Sequence, residues 1–219
     1  MRRASLIVGA LVLLSTAAHA SDTELSGTEG HPRARFPLSV WVESFNDAAL
    51  DGAVRRALDD WNALGRDVLG GPVFSPVPTR EAAQITLDVQ PPEASKLMGF
   101  TELSTDGAGV IALPVRIVVV APAARGQTSR ETLLYQVVAH ELGHALGLPH
   151  VRDPRSLMCC VKGSVDFTDP AARDAYIEAR RHPDVRSVRA QLAAQYARVG
   201  SGPTPREGER LQREKDMQR

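Results

Sequence analysis

Cysteine is nearly missing from this chain: its 219 residues hold two, and they are neighbours, Cys159 and Cys160. A framework of disulfides between distant segments is thereby excluded. Adjacent Cα atoms across a trans peptide lie closer than ordinary disulfide geometry prefers, so a bridge within the pair is expected to be strained. Stability is left to packing, with a metal as the available supplement. Net charge is missing too. Lys+Arg and Asp+Glu number 26 each, which gives no electrostatic case for nucleic acid or an anionic membrane surface. Nor is there an apolar run long enough to anchor the chain in a bilayer: the stretch Leu6 to Leu14 is too short to span.

That stretch has another reading. MRRASLIVGALVLLSTAAHA combines two arginines, a short apolar core and an Ala18-His19-Ala20 end, the pattern of an export signal cleaved before Ser21. Periplasmic or extracellular localisation is the expectation. The remainder suits one domain with a tail: a leader over 21–35, a main domain over 36–180, and a charged extension over 181–219 whose end is expected to be a mobile tail.

Punctuation and periodicity order the middle. Phe36 to Val42 predicts a strand, and Ala48 to Leu64 an amphipathic helix with Ala53, Ala57, Leu58, Trp61 and Leu64 at helical spacing. Gly70-Gly71-Pro72 closes that unit. Val73 to Val77 predicts a short strand, Ile85, Leu87 and Val89 a half-buried one, and Met98 to Leu103 and Val110 to Val120 two more around an Asp106-Gly107 turn, with Pro114 marking a break. Thr128-Ser129-Arg130-Glu131 reads as a capping box opening a largely buried helix, LLYQVVAHELGHAL, that stops at Gly147. Asp169-Pro170 starts a last well-marked helix. His31 and His182 read as surface residues, Trp41 and Trp61 as core, and the arginines after Arg180 as a solvated face.

The chemistry concentrates in HELGHALGLPH, His140 to His150. His140 and His144 are i and i+4 on one helix face, so two imidazoles can converge on an ion about 2 Å from each. Gly147 permits the sharp left-handed turn that returns His150 to the same point. Three protein ligands leave a fourth tetrahedral position open, as catalytic zinc sites do. Glu141, beside the first ligand, is placed to act as a general base on a water there and then as an acid toward a leaving amine.

With these residues quoted, the chain resembles the metzincin zinc endopeptidases, matrixins in particular: His140, Glu141, His144, Gly147 and His150 each match the extended family string, and Ser156-Leu157-Met158 falls where the family's methionine-bearing turn is expected. The resemblance implies an α+β fold, a twisted mixed sheet of about five strands with a catalytic helix and a C-terminal helix. It also implies Zn2+ as cofactor, a protein or peptide substrate paired on an edge strand for which Met98 to Leu103 is the candidate, and Met158 supporting the metal floor. Val151 stands where matrixins often have Ser or Thr, which leaves the subfamily open. Cys160 stands where some metzincins have a tyrosine, so oxyanion stabilisation is expected to fall on zinc. Cys159 and Cys160 read either as two small, partly buried residues or as a thiolate or vicinal disulfide near the metal. Calcium is indicated by no motif, and oligomeric state is not readable. The competing function is a catalytically inactive zinc-dependent binding protein, against which the intact Glu141 argues.

Overall fold

The computed structural model describes residues 25–91, 97–123 and 128–199. The export signal and the tail expected from the sequence lie outside the described residues. Nine main elements follow in order: β1 (Leu38–Val42), α1 (Ala48–Leu69), β2 (Phe74–Pro76), β3 (Ile85–Gln90), β4 (Gly99–Glu102), β5 (Val115–Val120), α2 (Arg130–Ala145), α3 (Pro170–Arg181) and α4 (Arg189–Val199).

The strands form one five-stranded mixed sheet in the order β2-β1-β3-β5-β4. The first four are parallel neighbours, while β4 runs antiparallel to β5 and forms an edge. This is the α+β sheet and helix arrangement that the resemblance implies. One expectation changes at the centre. β3 is buried on both faces over Ile85 to Asp88: one face packs in the core, and on the other the Arg80 and Arg116 side chains lie over Asp88. Its Thr86 and Asp88 are as enclosed as its apolar residues. Asp88 stays ionised there: burial alone raises its pKa, but hydrogen bonds from Arg80 and Arg116, at 2.5 and 2.7 Å, outweigh that and hold it below the usual carboxylate range.

α1 starts where the Asp47 carboxylate accepts from the N–H groups of Ala49 and Leu50, and it ends at Gly70 in left-handed backbone. It thus runs past the last apolar repeat at Leu64 to the glycine that stops it. Its stripe of Leu50, Val54, Ala57, Leu58 and Trp61 is buried, and the indole Nε1–H of Trp61 donates to the Ala139 carbonyl inside α2 at 2.9 Å. Helix α2 is enclosed by α1 and by β4 and β5. Its cap falls one residue later than expected: the Ser129 hydroxyl, not that of Thr128, accepts from the Thr132 N–H. β5 begins directly after Pro114, where the missing N–H interrupts the expected longer run.

The core also extends past Arg180, where the sequence reading ended the main domain. In α4, Leu192 and Tyr196 are buried, and Tyr196 packs edge-on against Phe36. Arg186, Arg189 and Arg198 do remain exposed. The reason is geometric: a helix needs only one apolar stripe to join a core, and charged residues on its other faces obscure that stripe in composition. No helix among the described residues is long and apolar enough to cross a membrane.

Candidate metal centre

The last turns of α2 carry His140, Glu141 and His144. The helix closes with two bonds, Leu148 N–H to Gly143 C=O at 3.0 Å and Gly147 N–H to His144 C=O at 2.8 Å, around Gly147 at φ 85°. That is a Schellman close, which satisfies orphan carbonyls and reverses the chain. The reversal brings His150 back beside the other two histidines.

Their Nε2 atoms form a near-equilateral triangle: 3.0 Å between His140 and His144, 3.1 Å between His140 and His150, and 3.2 Å between His144 and His150. A tetrahedral ion with nitrogens at about 2.0–2.1 Å sets them about 3.3 Å apart. The ring orientations agree. Nδ1 of His140 lies 2.8 Å from the Leu157 carbonyl and Nδ1 of His144 2.9 Å from the Leu148 carbonyl. A carbonyl only accepts, so both Nδ1 atoms donate, and the neutral rings turn lone pairs at Nε2 toward one another. Converging lone pairs repel unless a cation sits among them, so the donor set fits a zinc ion.

Burial keeps these rings neutral. It pushes His140 down to about 4, against the hydrogen bond to Leu157, and His144 down to about 3 with help from the neighbouring imidazoles. Neutral imidazole is the form that binds metal. Beneath the triangle, the fully buried Met158 fills the space beside Gly143; a Cβ there would stand 2.5 Å from its sulfur.

Glu141 is buried between α2 and the edge strand. Its Oε2 accepts from the Thr101 hydroxyl at 2.7 Å, and its Cγ lies 3.2 Å from where a Cβ on Gly99 would stand. With this geometry established, comparison with known families finds that the Matrixin peptidase family model matches residues 123–168, the segment that spans α2, the three histidines and Met158. The matched segment and the histidine triad fit a matrixin-like metzincin. The family that this segment resembles is one of metallopeptidases, and zinc is the metal that matrixins use. No curated protein matches the chain.

The turn after α2 is held by both ends of the described chain. Gly30 is laced to residues 109–111 by Gly30 N–H to Gly109 C=O and Ile111 N–H to Gly30 C=O. Around the turn itself, Gln195 donates to the Glu29 carbonyl, Gln191 to Pro149 and Tyr196 to Leu146. His31 is not at the surface, as the sequence suggested, but fully buried, with Nε2 donating to the Ala145 carbonyl at 2.9 Å. A single histidine carries no sequence signal for that role. His182 is exposed just after α3 and is not part of the triad.

The segment after the third histidine is knitted to the methionine turn. Val151 donates to Met158 and accepts from Val161, so His150 and the turn are one laced unit. Cys159 and Cys160 are joined to each other across a cis peptide that brings their Cα atoms to 3.0 Å, which corrects the reading of them as two unbonded small residues. With no free thiol, neither offers a thiolate to the metal. Arg180 of α3 donates to the Cys159 carbonyl and Ser187 accepts from the Leu157 N–H, tying the C-terminal segment to the metal floor. Thr101 escaped sequence reading as well. Its available signal was the two-residue alternation of Met98 to Leu103, which puts Gly99 and Thr101 on one face.

Proposed function

We propose that the chain is a matrixin-like metzincin and an exported zinc-dependent endopeptidase, with His140, His144 and His150 as metal ligands and Glu141 as base and then acid. The observation that carries the reading is the Glu141 carboxylate, buried on the helix of the histidine triad and directly under the edge strand. A binding-only site has no use for a carboxylate held there.

When bound, zinc supplies a Lewis acid that polarises a peptide carbonyl and makes water easier to deprotonate. Glu141 takes the proton that the attacking water loses and hands it to the departing amine nitrogen, so that peptide plus water yields a carboxylic acid and an amine in proton balance. Among the described residues strand β4 pairs with β5 alone, and its outer edge suits an extended peptide laid down as a further strand. Gly147 and Met158 act as supports, the first by turning the chain to His150 and the second by filling the floor. Export rests on the first twenty residues.

The test is Glu141→Gln in zinc-loaded protein, assayed on a diverse peptide library by mass spectrometry. Cleavage should fall by about 10²- to 10⁴-fold with zinc still bound stoichiometrically. Undiminished cleavage overturns the assignment of Glu141, and zinc-loaded wild type without turnover favours the binding protein.

A further inference from the structure

Glu141 is assigned a task that depends on where its carboxylate points, and the structure shows what points it. Strand alternation places Thr101 opposite Ile117 of β5, on the buried, helix-facing side of β4, while Glu102 on the other face meets Arg116. Two residues before Thr101, Gly99 lets the strand approach α2 so closely that a Cβ would collide with Val137 and crowd Glu141. A larger residue at 99 would hold the strand off. At this spacing the Thr101 hydroxyl reaches Oε2 of Glu141 at 2.7 Å and the Glu141 main-chain carbonyl at 3.1 Å.

Both partners are nearly enclosed, Thr101 at 3% and Glu141 at 5% exposure. A short hydroxyl-to-carboxylate bond in such surroundings is of the strong, charge-assisted kind. Threonine is suited to it, since its branched Cβ restricts the χ1 angle and so the direction of the hydroxyl. A carboxylate with one oxygen tied loses rotation about its last bond. The direction of the second oxygen is then fixed as well.

We infer that Thr101 is a positioning residue for Glu141, which aims the base from the same strand that receives the substrate. The inference rests on the reading of Glu141 as the base. It implies that substrate pairing on β4 and orientation of the base are mechanically linked, because one four-residue strand does both. A peptide that shifts β4 shifts the base with it.

The experiment compares Thr101→Val, which keeps the shape but removes the hydroxyl, with Thr101→Ser, which restores it. In the zinc-loaded protein Thr101→Val should lower kcat by about 10- to 100-fold with KM changed less than about twofold, and Thr101→Ser should recover most of the loss. In a Glu141→Ala background the same valine substitution should change residual cleavage less than about twofold, since a residue acting through Glu141 has nothing left to position. An equal loss in both backgrounds, or a serine variant no better than valine, overturns the inference. A crystal structure of zinc-loaded Thr101→Val separates this from the function itself: the Glu141 carboxylate should leave its wild-type position, and an unmoved carboxylate overturns the positioning role whatever the activity. Absence of peptide cleavage by the wild type counts against the endopeptidase reading alone.

Discussion

Substitution of Gly147 by alanine tests how the third histidine is brought to the centre. Two penalties are separable. Gly147 has φ 85°, left-handed backbone that costs an L-residue roughly 1–2 kcal/mol. The added methyl also collides with the Glu29 carbonyl, standing 2.9 Å from its carbon and 3.1 Å from the Gly30 Cα. That strand of chain cannot yield freely, because Gln195 holds the Glu29 carbonyl and Gly30 is bonded to Gly109 and Ile111. Overpacking of this sort adds about 1–3 kcal/mol. Together the terms predict a loss of about 2–5 kcal/mol, which lowers Tm by about 5–15 °C in a domain of this size. Zinc should bind about 10- to 100-fold more weakly as His150 is displaced. Calorimetry and competition with a zinc chelator give both numbers. Gly147→Asn separates the two causes, since asparagine accepts left-handed backbone but keeps the colliding Cβ. It should keep the collision's share of the loss, about 1–3 kcal/mol, and regain most of the backbone share. A Gly147→Ala protein that melts within about 2 °C of wild type and holds zinc as tightly would refute the reasoning.

Removal of the chain through His31 deletes the buried imidazole bonded to Ala145 and the strand lacing at Gly30; it should lower Tm and weaken zinc binding, and equal melting and equal zinc affinity would show the segment to be dispensable. The zinc-free protein should lose stability in acid. Burial depresses His31, and His140 and His144 fall to about 4 and about 3, so between those values and about 6.5 the unfolded chain binds more protons than the folded one, and stability rises with pH across that window. Urea midpoints of zinc-free protein measured across that range check the slope, and a flat or reversed profile contradicts it.

Much of the centre was legible because it is local. The spacing of His140 and His144 is one helical turn, and the turn at Gly147 is encoded by one residue, so sequence alone predicts convergence of three imidazoles. The sheet was legible as well, since each strand announces itself by composition and by the glycines and prolines around it. What stayed hidden joins residues far apart in the chain. The bond from Thr101 to Glu141 spans forty positions, and that from His31 to Ala145 spans 114. Alternation along β4 marks the face that Thr101 shares with Gly99 but not its partner, and no periodicity marks His31. In α4, alanine, glutamine and arginine fill most positions while Leu192 and Tyr196 do the packing, and β3 shows alternation although the Arg80 and Arg116 side chains lie over its second face at Asp88.

The two kinds of information have different jobs at this centre. Residues close in sequence set which atoms converge: α2 aligns two imidazoles and the Schellman close returns the third. Residues distant in sequence set how firmly they are held. Leu157 orients His140, Ser187 holds Leu157, and Tyr196, Gln191 and Gln195 brace the turn from α4. A motif therefore specifies the chemistry, whereas the terminal segments supply the rigidity that keeps three ligand atoms within 3.2 Å of one another. It follows that loss of α4 should resemble loss of a ligand in its effect on zinc.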